Sequence, residues 1–132
     1  MGTRFDLIGL FAKNLPEMVA FYRDILGLEI DWNGEGPYAE FQHEGIRFAM
    51  YSRQELPGLL GQIPEYPTKL NGTFELAINV GQPENVDSKY KEIIAKGGKV
   101  IYPPRNEPWK MRSAMIADPE GNIIEIASDF WE

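Results

Sequence analysis

The stretch Ala114–Ser128 constrains the fold more than any other part of the chain. It contains two apolar runs separated by the turn sequence DPEGN at 118–122. Asp-Pro and Gly-Asn are strong turn signals, because proline fixes φ and glycine or asparagine tolerates a positive φ. The pattern predicts a β-hairpin whose second strand directs Ile124 and Ile126 to one face and Glu125 to the other. Glu125 is the one charge within this apolar strand, which makes it a candidate functional residue.

The first half of the chain reads as a strand, a helix and three further strands. Phe5–Ala12 is a short apolar run typical of a strand, and its alternation places Leu7, Gly9 and Phe11 on one face. Asn14 is a predicted N-cap for a helix that runs to about Leu26, with the aromatic pair Phe21-Tyr22 in the core. Three more strands are predicted after it, at Leu28–Trp32, Tyr38–Gln42 and Ile46–Tyr51.

The second half repeats this succession after a connector rich in proline and glycine. In the connector, Arg53–Gly72, we expect one short helical turn. A predicted strand at Phe74–Val80 leads to a helix that begins at Gln82-Pro83-Glu84. Lys99–Tyr102 is predicted as a strand and Pro103–Lys110 as a loop, before the C-terminal hairpin completes the chain.

This internal repeat predicts an α+β fold. Two βαβββ modules would form a cupped mixed β-sheet with helices on its outer face. We expect a single domain over residues 1–132, with module 1 at about 4–52, a connector at 53–72 and module 2 at about 73–129.

Composition narrows the class of partner. The formal net charge of −7 argues against nucleic acid or an anionic membrane, because binding to phosphates needs clustered lysine and arginine. No apolar run approaches the roughly 20 residues that cross a bilayer. The chain has no cysteine, which excludes disulfides and thiolate metal sites and is typical of a cytoplasmic protein. We therefore expect a cytoplasmic protein that binds a small molecule.

Together these features resemble the vicinal oxygen chelate superfamily, which includes glyoxalase I, bleomycin-resistance proteins, fosfomycin-resistance enzymes and extradiol dioxygenases. The resemblance rests on short motifs in the expected order along nearly the whole chain: Asn14-Leu15, Phe21-Tyr22, Leu26-Gly27-Leu28, Gly97-Gly98, WKMR at 109–112, DPEGN at 118–122, and Glu125. It implies the cupped fold and a homodimer in which paired cups complete each site.

Metal-dependent members of that superfamily hold a divalent ion with His, Glu, His and Glu from four strands. The resemblance places these positions near Leu7, Phe48, Glu75 and Glu125, with Arg47 or Ala49 replacing Phe48 if that strand is shifted by one residue. Leucine and phenylalanine cannot coordinate a metal, and zinc sites normally need three or more protein ligands. The only histidine, His43, lies in a predicted turn. We therefore expect no cofactor, with a divalent metal ion on Glu75 and Glu125 as the alternative.

Two functions remain open. The first is metal-independent binding of a small amphipathic or cationic molecule in the cup, as the resemblance to bleomycin-resistance proteins implies. Its candidate ligand-binding residues are Leu7, Phe11, Phe48, Trp109 and Arg112.

The second function is that of a lyase, isomerase or dioxygenase. Glu75 and Glu125 would act with a divalent metal or as an acid/base pair, since two acids in one cavity raise the pKa of at least one. A structural role is also open for these acids, in which each glutamate pairs with an arginine such as Arg112 or Arg47.

Overall fold

The N-terminal half of the chain builds a small mixed sheet with a helix on one face. In the computed structural model, which describes residues 2–132, this unit ends at Tyr66. Its strands are β1 (Leu7–Ala12), β2 (Tyr38–Glu40) and β3 (Arg47–Ser52), and its first helix is α1 (Leu15–Ala20). The strand order is β1-β3-β2, with β1 parallel and β2 antiparallel to β3.

Helix α1 begins where the sequence predicts. The Asn14 side chain accepts a hydrogen bond of 3.1 Å from the backbone N–H of Glu17, which is the predicted N-cap. After Ala20 the chain widens into a π-helical turn, Phe21–Ile25, a feature the periodicity does not reveal. This turn buries Tyr22, whose ring centroid lies 5.4 Å from that of Phe48. The predicted core position of the aromatic pair is therefore confirmed.

The predicted strand Leu28–Trp32 is wrong. Among residues 2–132, only Glu29 of this segment joins a β-ladder, through an isolated antiparallel bridge to Gln42. The Trp32 indole N–H donates to the Glu35 carbonyl, and the Asn33 side chain accepts from the Glu35 N–H. Local side-chain bonds of this kind compete with pairing in a β-ladder.

The connector contains more helix than the single turn expected. A 3₁₀ turn at Arg53–Glu55 runs directly into α2 (Leu56–Leu60), which ends at Gly61 with a left-handed φ of 72°. Leu56 anchors this segment, since it is fully buried.

The second unit, Pro67–Glu132, begins within the predicted connector. It contains β4 (Asn71–Asn79), α3 (Pro83–Ala95), β5 (Lys99–Glu107), β6 (Met111–Ala117) and β7 (Asn122–Ala127). The strand order is β4-β7-β6-β5, so the predicted C-terminal hairpin is confirmed and its strands occupy the centre of the sheet. Its turn is held by the buried Asp118, whose carboxylate accepts from the Glu120 and Asn122 backbone N–H groups.

Strand β5 corrects the prediction of a loop at Pro103–Lys110. The strand continues through two prolines to Glu107, because it lies at the edge of the sheet, where a missing N–H interrupts no inner ladder. Its pairing with β6 shifts register between Val100 and Tyr102 and again between Tyr102 and Arg105. Each shift is a bulge that inserts one extra residue in β5.

The predicted repeat is confirmed as a shared topology. In each unit the first strand lies parallel to the last strand, and the remaining pairings are antiparallel. The fold is α+β, with two mixed sheets of three and four strands. No helix of the described residues 2–132 has the length and apolar character needed to cross a membrane.

Candidate functional site

Strand β7 presents Glu125 on the face of its sheet opposite α3. Ile124 and Ile126 are fully buried, as are Val86 and Ile93 of α3. Because side chains alternate along a strand, Glu125 points to the other face, as the sequence predicts. Its register partners are Ala77 of β4 and Met115 of β6, so it lies near the centre of this face.

The electrostatic surroundings of Glu125 set it apart from the other acids. Partial burial raises the pKa of its carboxyl above the ordinary value, and the charges of Glu75 and Glu107 raise it further. Among residues 2–132, no hydrogen bond or ion pair reaches this carboxylate. Glu75 lies two strand positions before Ala77 on the same face and is exposed to solvent. The two predicted acids therefore share one face.

A polar network on the same face includes residues that the sequence analysis missed. The Glu107 side chain is only 6% exposed, and Arg105 donates to it over 2.6 Å. The Ser113 hydroxyl donates to the same carboxylate oxygen over 3.0 Å and accepts from the Tyr102 hydroxyl over 2.9 Å. Arg105 also lies over the Tyr102 ring, 3.5 Å from its centroid. The bonds from Arg105 and Ser113 hold the pKa of Glu107 below its ordinary value, against the effect of burial.

The bulge at the two prolines brings this network together. Tyr102 and Arg105 are three residues apart, a spacing that would place them on opposite faces of a regular strand. Their partners on β6, Met115 and Ser113, are only two residues apart, so the extra residue restores both side chains to one face. The two prolines at 103 and 104 are the only sequence signal for this bulge. Without the pairing between β5 and β6, two adjacent prolines indicate a loop.

Arg112 lies away from these acids. Its guanidinium donates to both carboxylate oxygens of Asp87 on α3, over 2.7 and 2.8 Å, and to the Asn106 side chain over 3.0 Å. Arg112 therefore links β6 to α3 on the face opposite Glu125. The structural alternative, in which Arg112 pairs with Glu75 or Glu125, is wrong. Trp109 lies in the turn between β5 and β6 and is 56% exposed.

In the first unit, the register of β3 decides which residues share the face of Leu7. Leu7 is paired with Arg47 and Ile8 with Phe48. Phe48 is buried among aromatic rings on the α1 side, where its centroid lies 5.3 Å from that of Phe41. The prediction that groups Phe48 with Leu7 and Phe11 on one lining is therefore corrected, because a shift of one residue reverses the face.

Arg47 occupies the position that the sequence left as an alternative. It donates to Glu40 over 2.8 and 2.9 Å and to Asp6 over 3.1 Å. The acids that Arg47 binds therefore belong to its own unit and are not Glu75 or Glu125, the partners that the structural alternative predicted. Arg47 and the Tyr38 hydroxyl hold the pKa of Glu40 at about 2. Phe11 is 48% exposed on the same face as Leu7.

The donor set does not fit the divalent metal of the metal-dependent members. In the part of the chain that the structure describes, residues 2–132, no group of three or more His, Cys, Asp or Glu side chains is placed to hold a metal ion. His43 is exposed in a turn, where its Nδ1 lies 2.9 Å from the Ile46 carbonyl oxygen.

Comparisons with known proteins agree with this architecture. The family model described as the glyoxalase/bleomycin resistance protein/dioxygenase superfamily matches residues 4–126. The chain belongs to this superfamily. The uncharacterized protein YraH of Bacillus subtilis strain 168 is 31% identical to it over 122 residues, which cover 90% of this chain and 93% of YraH.

Solved structures share the fold of this superfamily member. A glyoxalase/bleomycin resistance protein/dioxygenase from Nocardioides has a TM-score of 0.82 at 23% identity, covering 98% of this chain and 85% of the other. A lactoylglutathione lyase from Agrobacterium tumefaciens has a TM-score of 0.74 at 22% identity, covering 97% and 95%. At these identities the likeness extends to the fold alone.

Proposed function

We propose that this superfamily member binds a small amphipathic molecule with a positively charged group, and that Glu125 receives that group. The observation that carries the proposal is a half-buried carboxylate with no partner among residues 2–132, beside two further acids. An unpaired acid in such a position is unfavourable in the free protein. A ligand cation would remove this penalty on binding.

Membership of a superfamily that contains bleomycin-resistance proteins supports a small-molecule ligand. The donor set supports a role without a metal, because Glu125 and Glu75 lack a third metal-binding side chain among the described residues. The exposed apolar residues Leu7 and Phe11 of the first unit stay predictions as ligand contacts.

A second candidate function is acid–base catalysis by Glu125. The raised pKa of its carboxyl favours this role, since a proton held at a pH closer to neutrality is available for transfer. This candidate keeps the predicted lyase or isomerase activity open without routing a step through a metal. If the protein turns over an aldehyde or ketone adduct and Glu125→Gln abolishes that turnover, acid–base catalysis replaces cation binding as the preferred function.

The test is a calorimetric and thermal-shift screen of primary, tertiary and aromatic amines against the wild-type protein. A bound amine should raise the stability of the fold as ligand linkage requires. Glu125→Gln keeps the shape of the side chain and should weaken binding about 10- to 100-fold, the effect of losing one hydrogen bond to a charged group.

Glu84→Gln is the matched control, because Glu84 is an exposed acid in the first turn of α3 and the substitution changes the net charge equally. If Glu125→Gln and Glu84→Gln weaken amine binding equally, the loss of affinity reflects the net charge of the protein and not a contact with Glu125. An amine that binds Glu125→Gln as tightly as wild type would refute the role of Glu125. The expected homodimer stays a separate prediction, which sedimentation analysis tests.

A further inference from the structure

The contact between Arg105 and Glu107 joins a buried acid to an exposed base. The Glu107 side chain is 6% exposed, whereas that of Arg105 is 55% exposed. A buried carboxylate needs a cationic partner, but that partner need not come from the protein. Here the partner is the part of the pair that solvent and solutes reach.

The surroundings of the Arg105 guanidinium are those of a cation-binding site. One side of the group lies 3.5 Å from the centroid of the Tyr102 ring, and its Nε donates to Glu107 over 2.6 Å. An aromatic face beside a carboxylate is a standard combination for recognising organic cations. Ser113 fixes both walls of the site, since it bonds to the Tyr102 hydroxyl and to Glu107.

We propose that Arg105 is a displaceable internal ligand, and that Tyr102, Ser113 and Glu107 form a subsite for a guanidinium or amidinium group of a bound molecule. The chemical class of the ligand follows from the group that occupies the subsite in the free protein. The planar guanidinium of Arg105 lies over the Tyr102 ring while it donates to the Glu107 carboxylate. The inference rests on the proposed function only in placing the ligand on the face of the sheet opposite α3.

Displacement has a measurable consequence. Arg105 is tethered to the subsite and competes with a free ligand for it. The apparent affinity for the free ligand is therefore the intrinsic affinity multiplied by the fraction of time that Arg105 leaves the subsite empty. Removing the guanidinium should therefore strengthen binding of a free one. The expected gain is about tenfold, the equilibrium factor of one weak charge-assisted hydrogen bond.

The experiment measures binding of methylguanidinium chloride by calorimetry or by ligand-observed NMR, with methylammonium chloride for comparison. Arg105→Gln should bind methylguanidinium about tenfold more tightly than wild type, and the double variant Arg105→Gln with Glu107→Gln should lose the gain. Adding Tyr102→Leu to Arg105→Gln should remove a large part of the gain in methylguanidinium affinity. It should also reduce the preference of the subsite for methylguanidinium over methylammonium.

Lys99→Gln is the control for net charge. Lys99 is an exposed base of β5 whose partner Ala117 places it on the same face, and the substitution removes the same charge. Equal gains in Arg105→Gln and Lys99→Gln, or no gain in either, would overturn the proposal. If Arg105→Gln does not fold, Arg105→Lys keeps the charge without the planar group and should show a smaller gain over wild type.

The two proposals fail separately. If amines bind through Glu125 but Arg105→Gln leaves methylguanidinium affinity unchanged, the proposed function stands and the subsite is refuted. If Arg105→Gln gains affinity while Glu125→Gln changes nothing, the subsite stands and the role of Glu125 is refuted.

Discussion

Replacing Gly121 by alanine tests the packing of the hairpin around which the second sheet forms. Gly121 lies in the turn between β6 and β7 with φ at 86°, and a Cβ there would lie 2.6 Å from the Lys69 carbonyl oxygen. The Gly121 carbonyl accepts a hydrogen bond of 2.8 Å from the Asn71 N–H, so the backbone before β4 runs directly against the turn. Alanine at this position must displace that backbone.

Two contributions determine how much Gly121→Ala lowers the free energy of unfolding. A left-handed backbone costs a residue with a Cβ about 1–2 kcal/mol. Forcing the Lys69 backbone away adds about 1–3 kcal/mol, the usual range for overpacking a tight contact. We expect Gly121→Ala to lower the free energy of unfolding by about 2–5 kcal/mol.

Gly97→Ala is the matched control for this substitution. Gly97 has φ at 93° in the same unit, and a Cβ there meets no atom within 4 Å. The control should therefore lose only the backbone term, about 1–2 kcal/mol. Urea unfolding followed by tryptophan fluorescence measures both, since Trp109 and Trp131 belong to this unit. Equal losses in the two variants would refute the close approach as a source of instability.

Two further predictions concern polar groups for which residues 2–132 supply no hydrogen-bonding partner. Burial raises the folded-state pKa of Glu125, so the folded protein binds this proton more tightly than the unfolded chain, and stability falls as pH rises through that pKa. The unfolding free energy of Glu125→Gln minus that of wild type should therefore increase from about pH 4 to about pH 7, and a flat difference would contradict the assignment. The Tyr66 hydroxyl is buried without a hydrogen bond among residues 2–132, while Arg53 lies over the ring. Tyr66→Phe should stabilise the protein by about 1 kcal/mol in urea unfolding, and a loss of stability would show that the hydroxyl has a partner.

Local signals in the sequence were sufficient for most of the fold. The Asn14 cap and the DPEGN turn at 118–122 determine their elements through bonds between residues at most four apart, so each is readable without a partner strand. The alternation of β7 likewise placed Glu125 correctly, because the two isoleucines beside it have only one face on which they become buried.

Features that depend on distant pairing were not predictable in this way. The face of Phe48 depends on its pairing with Ile8, and the bulges of β5 depend on pairing with β6. The partner of Arg112, Asp87, lies 25 residues away on α3. Glu107 was missed for the same reason, since its segment becomes a strand only when β6 lies beside it.

The distribution of ion pairs supports the proposal that Glu125 receives the cation of a ligand. Glu40, Asp87 and Glu107 each lie on or beside a sheet, and each has an arginine partner within 3 Å: Arg47, Arg112 and Arg105. In all three the arginine holds the pKa of the acid below its ordinary value, so these carboxylates are ionised and compensated. Glu125 has the opposite shift and, within the described residues, no such partner. A fold that compensates Glu40, Asp87 and Glu107 gains no stability by leaving Glu125 uncompensated, and this contrast supports the proposal that a ligand supplies the cation at Glu125.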